Sequence, residues 1–408
     1  MGFQQALSGL NAASRNLDVI GNNVANANTV GFKTSQAQFA DVFAASLAGA
    51  SSMSSGIGTR LAAVAQQFTQ GAITVSSNPL DMAINGAGFF RLSDNGTVKY
   101  SRNGQFFLDK DGFIVNSANM QLTGYPIDAA GNLDTASPQP LQLNTSDLAP
   151  VATTEMGGVL NFDSRAPIIA AAFDPTNPAT YNNSTSVSVF DSLGNAHSMS
   201  LYFAKTAAGV WNVYGTLDGA TGPVTPSPLG TVTFTSSGTI DTTATTLPFV
   251  ASLALTNGAT TPQTVDVDFT GTTQFGSNFS VNSLTQDGYT SGKLSGFSIS
   301  SDGIILGRYT NGRTSTLGQV VTANFTNPNG LIPTGGNTWV ESADSGTPLV
   351  GPPGSGNLGP VQSGAVEDSN VDLTAELVNM ITAQRVYQAN AQTIKTQDAV
   401  LQTLVNLR

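Results

Sequence analysis

Very few residues in this chain are equipped for chemistry. His197 is the only histidine among 408 residues, and there is no cysteine. Disulfides, thiol catalysis and Cys-based zinc or iron–sulfur sites are therefore excluded, as is a cluster of histidines around a metal. A Ser-His-Asp triad would have to use His197, which stands in a Ser/Met/Leu run where an imidazole is more often structural or solvent-facing. Ser-Lys variants stay open on sequence alone. Asp109-Lys110-Asp111-Gly112 begins like a calcium loop but lacks the third oxygen ligand and the distal Glu, so it reads as a hairpin turn. Asp266 and Asp268 share one strand face and read as solvated carboxylates. Gly86-Ala87-Gly88 starts like a dinucleotide loop, but Arg91 stands where the third glycine is needed. Short sequons at Asn95 and Asn183 carry little information. The sequence therefore predicts no catalytic, cofactor or metal site and no enzyme.

The elements around these residues say more. Charge is scarce, with 15 Lys+Arg and 26 Asp+Glu, or 10% against roughly 25% in an ordinary soluble domain. The net charge of −11 argues against tracking nucleic acid or anionic membrane, which favour clustered cations. Forty-three Gly and 19 Pro imply many turns, and 40% hydrophobic residues exclude a disordered composition. The first residues show no Sec-type signal, and no apolar run of 18 residues predicts a membrane span.

Both chain ends read as helices. Phe3, Leu10, Leu17 and Val24 recur every seven residues, with Leu7, Ala13, Ile20 and Ala27 between them. At the other end Leu373, Met380, Tyr387, Ile394 and Leu401 keep the same spacing, with Leu377, Ala391 and Val405 at the four-residue offset. Asn370 or Asp372 can cap this second helix, and Glu376 in its first turn suits the positive end of the helix dipole. Each stripe needs a partner, because propensity alone rarely stabilises a long helix in water. The economical partner for each is the other.

Between the ends lie turn-punctuated strands. Asn85-Gly86, Asn95-Gly96, Asn103-Gly104, Asp111-Gly112 and Asp302-Gly303 suit tight turns. Thr231-Val232-Thr233-Phe234 alternates as a strand with one wet face. The expected fold is α+β and multidomain: paired terminal helices, coiled-coil-like, with two nested and mainly antiparallel β domains. Its expected parts are a terminal-helix core at 1–28 and 370–408, and linkers at 29–75 and 363–369. An inner β domain follows at 76–148 and 286–362, with an inserted outer β domain at 149–285. Gly49–Arg60 and Gly346–Pro360 read as flexible, non-helical connections.

At this point the residues carry a family likeness. Ser8-Gly9-Leu10-Asn11-Ala12-Ala13-Ser14, Gly21-Asn22-Asn23-Val24-Ala25-Asn26 and Val30-Gly31-Phe32-Lys33 resemble the N-terminal motif of flagellar rod and hook proteins. Asn22, Asn23, Asn26, Gly31 and Phe32 are the motif positions it singles out. The run Val371–Arg408, with Glu376-Leu377-Val378-Asn379-Met380-Ile381, is similar to the terminal helix of that family. Val187-Ser188-Val189-Phe190-Asp191, followed by Leu201-Tyr202-Phe203, looks like the outer domain of hook-type members; a distal-rod subunit is the alternative. The resemblance implies a self-assembling subunit of a curved, flexible tube that transmits torque. The twelve large heptad residues would form its seam: Phe3, Leu7, Leu10, Leu17, Ile20, Val24, Leu373, Leu377, Met380, Tyr387, Ile394 and Leu401. It implies as partners copies of the chain itself, the distal rod protein, the hook cap, the hook–filament junction proteins and the flagellar type III export apparatus. It also implies a place in the extracellular flagellum, reached without a Sec signal.

Overall fold

A computed structural model of the chain describes residues 2–42, 56, 58–128, 131–220 and 222–406. The chain divides into two compact units. One comprises 1–145, 296–308 and 314–408; the other comprises 146–295 and 309–313. Among the described residues no helix is long and apolar enough to cross a membrane.

The first unit contains both helices, α1 (Gly2–Ala25) and α2 (Leu373–Asn406). At 1.5 Å per residue, the 34 residues of α2 span about 50 Å. Its cap is Asp372, whose Oδ1 accepts from the backbone N–H groups of Thr374 and Ala375 at 2.9 and 3.1 Å. Asn370, the other candidate, is used elsewhere. α1 and α2 pack along each other.

The segments 29–75 and 363–369, expected as linkers, contain paired strands, which corrects that reading. Ser35–Val42 and Gly58–Gln66 form an antiparallel pair, with Ser35 opposite Gln66 and Val42 opposite Gly58. Ile73–Val75 pairs with Ala365–Glu367, and Met82–Ile84 with Val361–Ser363. Backbone groups that a linker would leave to water are thus used in ladders, which pair the first connection with itself and the two connections with each other. Most of the expected linker 49–60 lies outside the described residues. The stretch 346–360 is not a link between β body and helix, because the strands at 361–367 follow it.

The sheet of this unit runs, in spatial order, Thr314–Val320, Gln121–Tyr125, Phe89–Asp94, Thr97–Ser101, Thr338–Val340 and Ile332–Gly335. Asn95-Gly96 makes the two-residue turn between Phe89–Asp94 and Thr97–Ser101, with φ of 49° and 91°. Asp111-Gly112 and Asp302-Gly303 also sit at hairpin tips, whereas Asn85-Gly86 and Asn103-Gly104 fall in irregular connections. Side chains alternate across a strand. Phe90 and Leu92 therefore enter one core with Met82, Ile84 and Phe106, while Phe89 enters another with Tyr100, Phe325 and Trp339.

The second unit is all β. Asn183–Phe190, Ala196–Ala207, Val210–Leu217 and Gly230–Thr233 form an antiparallel sheet. A mixed sheet centres on Glu155–Asp163, which runs parallel to Gln263–Asp268 and Thr273–Phe275 and antiparallel to Ser280–Gln286. Their shared core holds Phe162, Phe203, Trp211, Phe249 and Phe269. Val232 is buried between outward-facing threonines, as the alternation at 231–234 requires.

Candidate assembly surface and its joint to the β body

The helix pair is packed in an unusual way. The side chains most buried along it are small: Ala6, Ala13 and Ala383, with Ile20 and Asn23. Gly9 lies so close to α2 that a Cβ there would stand 2.8 Å from Asn390 Oδ1. Of the twelve seam residues expected from the heptads, only Ile20 is buried. Leu10, Leu17, Val24, Met380 and Ile394 are half-buried. Phe3, Leu7, Leu373, Leu377, Tyr387 and Leu401 are exposed, Leu377 by 44% and Leu401 by 54%. Val378, Ile381, Val386 and Val400 are exposed beside them. The helices thus meet largely through small residues and leave large apolar side chains exposed on several sides of α2. A groove of about 680 Å³ runs along the pair, lined by Ala13, Ile20, Phe39, Glu376, Ala383 and Val386 among others.

The motif residues at the end of α1 hold the turn toward the β body. Asn26 Nδ2 donates to the backbone oxygen of Asn22 at 2.9 Å and to its Oδ1 at 3.2 Å. Asn23 imitates a strand neighbour. Its Nδ2 donates to Ser35 O at 2.8 Å, and its Oδ1 accepts from Ser35 N at 2.9 Å. The same Nδ2 reaches Glu376 Oε1 on α2 at 3.2 Å. Gly31 has φ of 72°, and a Cβ on it would lie 2.5 Å from Asn103 N. Only glycine combines that left-handed backbone with so close an approach. Phe32 follows it into the interior.

Next comes a group of residues that sequence reasoning missed. Lys33 Nζ lies 2.7 Å from Glu367 Oε1, and Arg102 Nη1 lies 3.1 Å from Glu367 Oε2. The side chains of Lys33 and Glu367 are wholly buried, and that of Arg102 nearly so. Backbone groups complete the cluster. Gly71 N donates to Glu367 Oε1 at 2.8 Å, Lys33 Nζ donates to Thr69 O at 2.7 Å, and Arg102 Nη2 donates to Gly86 O at 2.7 Å. Gly31 N donates to the backbone oxygen of Glu367 at 2.8 Å. Burial pushes the Lys33 pKa below its ordinary value, Arg102 adding to this, despite the opposing carboxylate. Asn370 makes a second tie, accepting from Thr34 N at 2.7 Å and donating to Gln67 O at 2.8 Å. The only local hint was a lysine following Gly31-Phe32 in a chain that has few charges.

The residues first considered for chemistry have structural roles. His197 Nδ1 is 2.8 Å from Asp218 Oδ2, and its Nε2 is 3.3 Å from Asp191 Oδ2. Asn257 and Asn195 also donate to Asp191. Burial disfavours the charged ring, but the two carboxylates outweigh it and hold the His197 pKa above its usual value. The buried Asp191 is held far below the ordinary carboxylate range by its donors, against the effect of desolvation. Asp109 Oδ1 accepts from Asp111 N and Phe113 N, closing a hairpin turn. Asp266 and Asp268 are exposed on one strand face beside Glu155 and Asp287. Among the described residues, no three acidic or histidine side chains are grouped to hold a metal ion.

Known proteins bear on this arrangement directly. Four family profiles match successive parts of the chain. Residues 3–33 match the flagella basal body rod protein family, and 83–154 the flagellar hook protein FlgE/F/G D1 domain. Residues 161–289 match the flagellar basal body protein FlaE D2 domain, and 362–407 the flagellar basal body rod FlgEFG C-terminal family. The flagellar hook protein FlgE of Escherichia coli (strain K12) is 46% identical over 429 aligned positions covering all of both chains. That of Salmonella typhimurium is 45% identical, also over the full length of both. That of Rhizobium meliloti is 32% identical, covering all of this chain and 98% of the relative. Among solved structures, Helicobacter pylori flagellar hook protein FlgE2 shares the fold with a TM-score of 0.52 at 14% identity, over 71% of this chain and 99% of that one.

Proposed function

The chain belongs to the flagellar hook protein family, and from that membership we propose that α1 and α2 are its assembly element. It is a structural subunit of the hook, in a family of structural subunits. The full-length relatives are hook proteins, so the distal-rod alternative has the weaker support. One observation carries the assembly reading: the helix pair meets largely through small residues and leaves six of the twelve large residues of its heptad stripe exposed. Copies packing on that stripe would gain about 1.5–3 kcal/mol per large side chain removed from water. Of the twelve heptad residues Ile20 packs within its own chain, and Phe3, Leu7, Leu10, Leu17, Val24, Leu373, Leu377, Met380, Tyr387, Ile394 and Leu401 form the seam between copies. Head-to-tail contacts that do not close into a ring build a helical tube.

The same reading supplies the partners and the location. The tube of copies joins the distal rod protein at one end and the junction proteins at the other, and grows beneath the hook cap. Its subunits arrive by the flagellar type III export apparatus at the extracellular hook. The parts are a terminal-helix core, an inner β domain and an inserted outer β domain. Removing residues 1–28 tests the assembly element. The truncated chain is expected to keep folded β domains and to form no tubes under salting-out conditions by electron microscopy. Tubes from that truncation would sink the assignment.

A further inference from the structure

The buried cluster at Glu367 has no evident purpose as a stabilising device. Two cations share one carboxylate in an interior that penalises every unpaired charge, and an apolar trio of similar volume would cost less to bury. Its value lies in its position. Residues 31–33 are where the chain leaving α1 enters the β body, and Glu367 lies just before α2 begins at Leu373. Of the chain passes that touch the cluster, 86 and 102 belong to the β body, while 69–71 belong to the connection that follows α1. Glu367 therefore gathers both connections: its carboxylate holds Lys33 and Gly71 N, its backbone oxygen accepts from Gly31 N, and Arg102 ties that carboxylate to the β body. Arg102 extends the tie, since its guanidinium carbon lies 5.4 Å from the centre of the Phe89 ring.

We propose that Lys33, Arg102 and Glu367 form the joint through which torque passes between the helix pair and the β body, with Glu367 as the positioning residue. The proposal rests on the hook-subunit reading for the word torque, but the joint itself is a property of the single chain. Ion pairs suit this task because they are directional and short. Lys33 and Arg102 take separate oxygens of one carboxylate, which fixes its orientation as well as its place. An apolar contact would allow sliding at small cost.

Hydrogen exchange on the full-length chain separates a joint from an ordinary core element. Glu367→Gln leaves two buried cations without a counter-charge, so amides tied to the cluster should open readily. The expected result is exchange about a hundredfold faster at Gly31 and Gly71, with the Phe89–Asp94 and Thr97–Ser101 strands protected as before. Lys33→Met keeps the balanced Arg102–Glu367 pair and removes only one arm, so the same amides should speed up by about tenfold. That variant carries the test should Glu367→Gln fail to accumulate as folded protein. Tubes assembled from Lys33→Met should have the wild-type subunit packing and a shorter persistence length in electron micrographs. Unchanged exchange at Gly31 and Gly71 would overturn the proposal, as would an equal loss of protection through both strands, or variant tubes as stiff as wild type. A wild-type chain that forms no tubes would instead remove the functional reading, leaving the exchange result to decide whether a joint exists.

Discussion

The inserted unit and the helix pair handle apolar surface in opposite ways. In the inserted unit Trp211, Phe162 and Phe203 are fully buried, and Phe162 meets Phe203 edge to face at 5.0 Å. Its outer turns are closed by their own polar groups, as where Asp241 Oδ1 accepts from Thr243 N and Oγ1. A few large apolar side chains, Ile168, Leu193, Val250 and Phe275 among them, remain exposed around that core. In the helix pair Ala6, Ala13 and Ala383 are buried while Leu7, Leu373, Leu377 and Leu401 are exposed. The difference teaches that low charge serves two ends within one chain. In the inserted unit it accompanies a large aromatic core, and in the helices it leaves exposed apolar side chains with few charged groups that burial would have to desolvate.

The comparison can be broken in three places, the first with the largest effect. Trp211→Ala empties a core position and should cost the inserted unit about 3–5 kcal/mol. Its calorimetric transition should fall while tubes still form below the new midpoint; tubes lost together with that transition would mean the two regions are not independent.

The second test concerns pH. The His197 pKa is raised above 6.5 in the folded chain, so the stability from its protonated form is fully present below that value. It is lost as pH rises through the raised value. The Asp191 pKa is lowered from 3.8, so its contribution is present above that value and is lost only as pH falls well below it. The inserted unit should therefore be most stable between the two and lose stability on the alkaline side. His197→Gln should flatten the alkaline decline in melting temperature, and an unflattened profile would remove His197 from the account.

The third effect is the smallest on the monomer. Leu377→Ser should change the stability of the isolated chain by no more than about 0.5 kcal/mol, because the residue is already in water. Tube formation should nevertheless be lost. A large fall in monomer melting temperature would place Leu377 in an internal core.

Much of this fold was legible because it is written locally. The Asn95-Gly96 turn, the alternation at 231–234 and the heptads at both ends all follow from neighbouring residues. The heptads told which residues share a face, but not whether that face meets its own chain or another copy. Small residues set how the two helices of one chain meet, since Gly9 and Ala13 permit a close approach that leucines would obstruct. The joint was invisible for a different reason. Lys33 and Glu367 are 334 positions apart, and Arg102 and Glu367 are 265 apart, so no local spacing links them. The supposed linkers hid it further, because Gly/Ser-rich composition says nothing of strand pairs formed with distant segments.

The adjacent pair Phe89 and Phe90 carries one more consequence. One strand supplies both aromatic clusters of the β body, so they share a single wall. Neither cluster can relax without moving the backbone that the other stands on. Arg102, resting on Phe89, touches that wall from the side of Glu367. A disturbance arriving there is spread across both halves at once, and the β body answers as one elastic block instead of two in series.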